Sequence, residues 1–449
     1  MKSKKHTCVA VLCTFSFILL SSLMMGCVTN PITGKSQFSI VGKSELVSLA
    51  QQAVPSQFSS DYGVVSDAAL NAYVSQVGHR LVATLTPADV VYPNMAFNFQ
   101  VVNAVYVNAY AFPDGTIAVT RGMLVELGNE AQLAAVLGHE IAHVNCGHTA
   151  AAISRGTVYD ALVSGTQGYL SSQGSSWADL AGTAGQLGSA VVLANYSRTQ
   201  EHQADQGGML YMVRAGYDPQ GMIDLMNLLV RISGSNPSII EQMFSSHPMS
   251  TERLAVATAR AKNEYAGRNA GAINQAAFLS ATADIRKQKP ALKQFALAEG
   301  QLAQKNYALA KATAEAGLRL APNDYVGLML MAQANQQSNQ SAAAQQLAAR
   351  ALRFYPKGAR AHSVLAQCAL QRKDYATAMI HLNAFERQVP GEIHTAFYKG
   401  LAYEGQGQTQ LAAHAYQTFV RRGSINTTEK RYATKRLQQL GSTPQQAAQ

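Results

Sequence analysis

A cluster of histidines near the middle of the first half of the chain has the spacing of a metal site. Residues 136–148 read VLGHEIAHVNCGH, which places His139 and His143 four positions apart with Glu140 between them. Side chains four apart on a helix project from the same face, so both imidazoles can bind one ion. A zinc hydrolase needs three protein ligands and one further position for water. Glu140 is placed to take a proton from the water that attacks a peptide bond.

His148 does not complete this pattern on a continuous helix. At five residues beyond His143, its side chain turns about 140° away. A metzincin would have a glycine at position 146 and its third histidine at position 149, where this chain has Cys146 and Thr149. We therefore expect His148 to lie at the helix end or to orient a ligand, and Cys146 to be a small buried thiol.

The third ligand is expected in the downstream segment SRTQEHQADQGG. Ser197 and Gln200 match a capping box, so a helix begins there. Glu201 and Asp205 lie four apart on one face of that helix. Glu201 is the candidate metal ligand, and Asp205 is the candidate acceptor for the ring N–H of a ligand histidine. A solvated acidic helix face is the alternative interpretation of this pair.

The elements that must position these residues also follow from sequence patterns. Asn129 is the expected N-cap of the histidine helix, and apolar residues at helical spacing between Leu133 and Val144 predict a buried face. Alternating apolar residues from Phe97 to Thr120, interrupted by Pro-Asp-Gly, predict a β-hairpin. Residues 156–196 are rich in Gly, Ser and Ala, which predicts loosely packed helices or a mobile flap.

The C-terminal part of the chain repeats with a period of 34 residues. Three series share this spacing: Pro322, Pro356 and Pro390; Ala310, Ala344, Ala378 and Ala412; and Ala298, Ala332, Ala366 and Gly400. Small residues at fixed positions let paired helices approach closely, as is typical of tetratricopeptide repeats. We predict about four repeats in an all-α solenoid over residues 291–440, a boundary near Lys289, and a tail at residues 441–449.

The N-terminus has the layout of a secretory signal. Lysines precede an apolar segment from Val9 to Leu23, and small residues follow. The sequence LMMGC resembles a bacterial lipoprotein cleavage box, which implies lipidation of Cys27, and Val28 implies outer-membrane sorting in a Gram-negative cell. Residues 1–26 are thus the expected signal peptide and residues 27–45 a tether. An uncleaved anchor is the alternative, although the segment is short for a membrane span.

Length and composition narrow the class of protein. The 449 residues exceed what one core usually supports, so two folded domains are expected. The formal net charge of +10 falls to +7 when the three lysines of residues 1–26 are removed. Anionic lipids could attract such a chain, but no nucleic-acid motif accompanies the charge. Cys146 and Cys368 lie in different predicted domains, so a disulfide framework is not expected.

In combination, the two motifs resemble those of a known family. His139-Glu140-x-x-His143 and the downstream Ser-Arg-x-x-Glu-x-x-Ala-Asp resemble the HtpX-like and CAAX-prenyl-protease-like zinc metallopeptidases, and NAYAFPDG resembles the region ahead of their catalytic helix. The resemblance covers residues 30–262 and implies a gluzincin-like α+β metallopeptidase domain, mostly helical with a small β-sheet, here expected over residues 46–285. With the signal and the repeats, it implies the periplasmic BepA-like branch.

The resemblance also implies roles for residues outside these motifs. His247, in Ser-His-Pro, is implied to lie over the active site, where it either caps the metal or stabilises the oxyanion, with Arg253 close by. The strand around Ile117 and Val119 is expected to pair with an extended substrate.

These inferences lead to an expected function. The chain is expected to be a periplasmic zinc endopeptidase with one Zn²⁺ bound by His139, His143 and Glu201, lipid-anchored to the outer membrane. Its substrates would be misfolded outer-membrane or periplasmic proteins, which it would degrade or help to assemble, and the repeat groove would bind a protein partner. The alternative is a chaperone-like protein-binding scaffold with suppressed proteolysis.

Overall fold

The computed structural model describes residues 27–163, 196–235, 239–267, 271–422 and 427–441. A mostly helical region with a small sheet is followed by an all-helical region, which confirms the predicted fold class. The expected signal peptide and most of the expected flap and tail lie outside the described residues. Among the described helices, none combines the length and the apolar character that a bilayer span requires.

The segment expected to be a tether is folded. Strands Cys27–Thr29 (β1) and Ser36–Phe38 (β2) form an antiparallel hairpin, which we call the N-terminal hairpin. Asn30 in its turn is 2% exposed, and Gln37 donates to the backbone at the end of the histidine helix. The tether prediction for residues 27–45 is wrong because polar side chains of this segment hydrogen-bond to the rest of the protein. Cys27 itself is exposed.

A three-stranded mixed sheet lies ahead of the histidine helix in the chain. Its strands are Asn98–Val102 (β3), Ala109–Ala111 (β4) and Thr116–Thr120 (β5), in the order β3-β5-β4. The central strand β5 runs parallel to β3 and antiparallel to β4. The predicted hairpin therefore consists of β4 and β5 alone, joined through Gly115, whose φ is +92°. The first half of the apolar alternation forms β3 instead.

Two helices carry the motifs, and both begin where the sequence predicts. Helix α4, Glu130–Asn145, starts after Asn129, whose side chain accepts from a backbone N–H of the first turn. Helix α6, Arg198–Arg214, starts with the capping box of Ser197. The other helices among the described residues of this region are Lys43–Ser60 (α1), Ala68–Val82 (α2), Arg121–Glu126 (α3), His148–Val163 (α5), Gln220–Ser235 (α7), Glu241–Ser246 (α8), Thr251–Asn263 (α9), Gln275–Ala281 (α10) and Ala283–Lys287 (α11).

Helices α4 and α6 pack through two glycines. A Cβ atom on Gly208 would lie 2.8 Å from the backbone nitrogen of His139, and one on Gly138 would lie 3.0 Å from the Gly208 carbonyl oxygen. Because neither residue has a side chain, the two backbones can approach closely. This close approach brings the Glu201 side of α6 to the His139 side of α4.

The second region consists of four helical hairpins and one further helix. The first helices of the second, third and fourth hairpins begin at residues 325, 359 and 393, which is the 34-residue spacing of the sequence. The helices are Lys289–Ala303 (α12), Tyr307–Leu320 (α13), Tyr325–Gln337 (α14), Ser341–Phe354 (α15), Ala359–Gln371 (α16), Tyr375–Gln388 (α17), Ile393–Gly405 (α18), Thr409–Arg422 (α19) and Thr428–Gln439 (α20). Their assignment to the tetratricopeptide class stays a prediction.

The two regions share one hydrophobic core. The main cluster of buried side chains runs from Leu70 in α2 through Phe295 in α12 to Cys368 in α16. Arg121 also pairs with Asp324 across the two regions, with Nη1 2.7 Å from Oδ2 and both side chains buried. Helix α12 begins at the expected boundary, Lys289, but packing continues across it, so the domain limits stay predictions.

Candidate metal centre

Three histidines and one glutamate converge in the interior. Their donor atoms all lie within 4.8 Å of one another. His143 Nε2 lies 3.0 Å from His139 Nε2 and 3.3 Å from Glu201 Oε1. His247 Nδ1 lies 3.1 Å from Glu201 Oε1 and 3.3 Å from His139 Nε2. All four side chains are buried.

Four of the separations between these donor atoms suit ligands of one zinc ion. Two zinc ligands at bond lengths of 2.0–2.1 Å and a tetrahedral angle are about 3.3 Å apart, and four donor separations here are 3.0, 3.1, 3.3 and 3.3 Å. Imidazole nitrogens with one carboxylate oxygen are a donor set that zinc binds. Bringing these lone pairs together in the protein interior costs free energy unless a cation binds between them.

His139 is oriented by a carboxylate on α6. Its Nδ1 lies 3.0 Å from Asp205 Oδ1, and because an ionised carboxylate only accepts, Nδ1 carries the ring proton and Nε2 faces the metal position. Burial alone would raise the pKa of Asp205, but Arg253 and His139 hold that pKa below its ordinary value. Arg253 also places Nη1 2.6 Å from Glu201 Oε2.

Two of the candidate ligands have the protonation states that bind metal. Burial alone would raise the pKa of Glu201, but His247, His143 and His139 hold it well below its ordinary value. Burial keeps the pKa of His143 well below its ordinary value. Glu201 is therefore ionised and His143 neutral near pH 7, as zinc coordination requires.

Glu140 lies beside the donors without joining them. Its Oε1 is 3.8 Å from His247 Nε2, and its buried Oε2 has no hydrogen-bond partner among the described residues. Burial raises the pKa of Glu140, an effect that the nearby His247 opposes. A general base works best when its pKa approaches the working pH, so both the raised pKa and the open oxygen suit a proton acceptor.

A small cavity adjoins the donors and is covered by the segment that carries His247. Its lining includes Ala109, His139, Glu140, Met243 and His247. The start of the covering segment also contacts the chain ahead of β4, because the Ile239 carbonyl accepts from the Val107 N–H at 2.7 Å. The segment that includes α8 and His247 therefore forms one wall of this cavity.

The expectation for Ile117 and Val119 is wrong. Both lie in β5, which is paired on both sides, and both are fully buried. A central strand has no free edge, so it cannot add a substrate strand. Apolar alternation predicts a strand, but it does not indicate whether that strand lies at the centre or at the edge of the sheet.

Strand β4 lies at an edge of the sheet, and its three residues are buried. Thr120 N donates to Asn108 O and Phe112 N donates to Thr116 O. Hydrogen-bonded pairs alternate along an antiparallel ladder, so the N–H and C=O groups of Ala109 and Ala111 point away from β5.

His148 lies behind His143 rather than at the metal position. Helix α4 ends at Asn145, and Gly147 adopts a φ of +64° before α5 begins. This turn brings His148 Nδ1 to 2.9 Å from His143 Nδ1. A third histidine ligand would require such a break in the helix. The His148 ring, however, contacts Nδ1 of His143, which is the ring nitrogen that points away from the metal position. Cys146 is buried, as expected, and burial raises its pKa to about 12.

Comparison with known proteins supports this interpretation. Residues 68–261, which contain every residue of the centre, match the model of Peptidase family M48. This segment, which is less than half of the chain, is similar to that family. Zinc is the metal that the family uses, in agreement with the donor set. Through this segment the chain resembles BepA-like M48 metallopeptidases.

The individual relatives cover the same part of the chain. The beta-barrel assembly-enhancing proteases of Yersinia pestis and Escherichia coli K12 are 31% and 30% identical over 203 and 204 residues, which is 44% of this chain and 40% of each relative. Metalloprotease YcaL of Escherichia coli K12 is 31% identical over 159 residues, or 35% of this chain and 59% of the relative. The chain thus spans 40% of the length of the two assembly-enhancing proteases and 59% of the length of YcaL.

Proposed function

We propose that this chain, through the segment that resembles Peptidase family M48, is a zinc-dependent endopeptidase. The observation that carries the proposal is the convergence of His139, His143 and Glu201 at distances that suit ligands of one ion, with Glu140 beside them. Zinc held there supplies Lewis acidity at the scissile carbonyl and lowers the pKa of water. Glu140 takes the proton of the attacking water and returns it to the leaving amine.

The substrate is an extended segment of polypeptide beside β4. The outward backbone groups of Ala109 and Ala111 can pair with such a segment, and Ala109 lines the cavity next to Glu140. Pairing through backbone groups depends little on side chains. This mode suits unfolded chains, which expose their backbone.

His247 caps the metal position in the resting protein. Its Nδ1 lies 3.3 Å from His139 Nε2 and 3.1 Å from Glu201 Oε1, separations that suit two ligands of the same ion. The segment that carries His247 covers the cleft. A catalytic zinc site needs an open fourth position, so the segment that carries His247 must move before substrate binds. Arg253 stays in place and holds Glu201 and Asp205.

The cellular setting follows from the sequence and from the names of the relatives. The signal layout and Cys27 support export and a lipid anchor at the outer membrane, facing the periplasm of a Gram-negative cell. Relatives are named beta-barrel assembly-enhancing proteases, which supports outer-membrane and periplasmic proteins as substrates. The helical hairpins of the second region supply a groove for a protein partner.

The closed cleft supports a second function, in which the chain acts as a chaperone-like scaffold whose proteolysis is suppressed. Complementation of an envelope defect by wild type and by Glu140→Gln separates the two. Rescue by wild type alone supports the peptidase, whereas equal rescue supports the scaffold.

The direct test is a zinc assay combined with casein cleavage. The purified protein should contain one zinc per chain and cleave casein, and a chelator should abolish cleavage until zinc is restored. Glu140→Gln should retain zinc and lose cleavage, because Gln accepts no proton. Zinc-loaded wild type without cleavage under any condition would contradict the peptidase proposal.

A further inference from the structure

A chain of hydrogen bonds leads from the N-terminal hairpin to His143. His143 Nδ1 meets His148 Nδ1 at 2.9 Å, and His148 Nε2 meets Gln203 Oε1 at 2.9 Å. Gln203 Oε1 also accepts from Asn30 Nδ2 at 3.0 Å. Asn30, His143 and His148 are buried. The chain of contacts thus connects a turn of the N-terminal hairpin to a candidate zinc ligand.

The donor and acceptor of each hydrogen bond between Asn30 and His143 can be assigned by starting from Asn30. The backbone N–H groups of Ile32 and Thr33 can only donate, and both point at Asn30 Oδ1, at 3.0 and 3.1 Å. The other side-chain atom of Asn30 is therefore the NH₂ group. Its two protons reach Gln203 Oε1 and, at 3.3 Å, Gln37 Oε1.

Gln37 supplies an independent check on that direction. Its Nε2 lies 2.9 Å from the Cys146 carbonyl and 3.4 Å from the Gly147 carbonyl. Carbonyl oxygens only accept, so Gln37 must turn its NH₂ group toward them and its Oε1 toward Asn30. Asn30 is thus a donor by both arguments.

The same logic then assigns the two histidine tautomers. Because Gln203 presents an oxygen, His148 Nε2 must donate, which leaves His148 Nδ1 as an acceptor in the neutral ring. His143 Nδ1 must therefore carry the proton in their shared hydrogen bond. A neutral imidazole with its proton on Nδ1 presents the lone pair of Nε2, the atom that faces the metal position.

We propose that Asn30 is a positioning residue that acts through Gln203 and His148 to hold His143 in its metal-binding tautomer and orientation. This inference rests on the proposed zinc site. It makes the N-terminal hairpin part of the support of the metal centre, as Asp205 supports His139 from the other side. Outer partners of metal ligands typically contribute 10–100-fold to metal affinity or activity.

Substitutions of Asn30 test the donor and acceptor assignment of the hydrogen bonds between Asn30 and His143. Asn30→Asp is isosteric but replaces the donor with an acceptor, so Gln203 must turn its NH₂ group toward the new carboxylate and His148 Nε2. His148 would then carry its proton on Nδ1, and His143 would carry its proton on Nε2, the atom that faces the metal position. We expect the zinc dissociation constant, measured by competition with a chromophoric chelator, to rise by about 10–100-fold. Ser36→Ala, at an exposed position of the same hairpin, is the matched control and should bind zinc as wild type does.

Substitutions of Gln203 separate this role from simple packing. Gln203→Glu keeps an acceptor toward both Asn30 and His148 and should retain zinc affinity within a few-fold. Gln203→Met has a similar size without an acceptor and should lose affinity as Asn30→Asp does. Melting temperatures of the metal-free proteins show whether each variant is folded, and variants are compared only where these agree within a few degrees.

The outcomes distinguish this inference from the proposed function. Wild type that binds no zinc would overturn the proposed function and this inference with it. Wild type that binds zinc tightly, together with Asn30→Asp and Gln203→Met variants that bind it equally tightly, would overturn the positioning role alone. Equal losses in Gln203→Glu and Gln203→Met would also overturn it, because packing rather than hydrogen-bond direction would then matter.

Discussion

Arg253 and Asp205 form a two-point contact in the interior, with Nε 2.8 Å from Oδ2 and Nη2 2.7 Å from Oδ1. The same Oδ1 accepts from His139 Nδ1. Asp205 therefore serves the arginine and the candidate ligand at once. Its ionised form is required by both partners, since each of them donates.

Asp205→Asn should weaken zinc binding. An amide that keeps its oxygen at the Oδ1 position, facing His139, turns its NH₂ group toward the Nε–H of Arg253, which can only donate. We expect the zinc dissociation constant to rise by about 10–100-fold. Chelator competition measures this, with Asp284→Asn as a control because Asp284 is exposed and pairs with Lys287 in a surface contact. Unchanged zinc affinity in Asp205→Asn would contradict its orienting role.

His247→Ala should distinguish the two roles that the sequence left open. If His247 caps the metal position, its removal opens the fourth site, and casein cleavage should rise several-fold at unchanged zinc content. If it stabilises the oxyanion, cleavage should fall by about 10²–10³-fold. We expect the increase, because Nδ1 lies among the donor atoms. His414→Ala, at an exposed position of the second region, is the control.

The parts of the site that depend on one helix could be predicted from sequence. The spacing of His139 and His143 needs only helix geometry, and the capping box of Ser197 needs only its own first turn. Glu201 was predictable because a zinc site needs a third ligand and the segment offers an acidic pair. His247 and Arg253 came from family resemblance alone, since a histidine in a loop carries no spacing signal.

The parts that depend on contacts between elements were less predictable. Apolar alternation indicated strands but not the order β3-β5-β4, which makes β5 central and leaves β4 at an edge. The N-terminal hairpin was mistaken for a tether because Gly, Ser, Thr and Pro are common to linkers and tight turns. The place of His148 depends on the positive φ of Gly147, which a continuous helix would not allow.

Gly208→Ala should separate the two motif helices. The added methyl group would lie 2.8 Å from the His139 nitrogen and 3.0 Å from the Gly138 carbonyl carbon, and these backbone atoms cannot rotate away. Overpacking of this kind costs about 1–3 kcal/mol of folding free energy. We expect a lower melting temperature and weaker zinc binding, because His139 and Glu201 move apart.

Gly300→Ala is the matched control for this change. Gly300 also lies in a helix, and nothing lies within 4 Å of the position that its Cβ would take. Alanine is favoured over glycine in helices by about 0.5–1 kcal/mol, so this variant should be as stable as wild type or more stable. A Gly208→Ala variant that behaves like Gly300→Ala would contradict the close packing of α4 and α6.

Glu130 should make folding stability depend on pH. Burial alone would raise its pKa, but hydrogen bonds from Tyr73, Asn274 and Tyr217 and the charge of Arg80 hold that pKa below its ordinary value. A lowered pKa in the folded state contributes stability above the unfolded pKa of about 4.3, and this contribution is lost as pH falls through the folded value. Glu130→Gln should therefore lower the melting temperature more at pH 7 than at pH 4.

The size of this effect follows from the donors that Glu130 satisfies. Loss of a charged acceptor for buried donors costs about 1–3 kcal/mol of folding free energy. Glu264→Gln is the control, since Glu264 pairs with Arg260 on the surface with its own side chain 53% exposed, and surface pairs contribute about 0–1 kcal/mol. Equal losses of melting temperature at both pH values in Glu130→Gln would show that the ionised form of Glu130 adds nothing beyond packing, because a neutral glutamine would then replace it equally well across the titration.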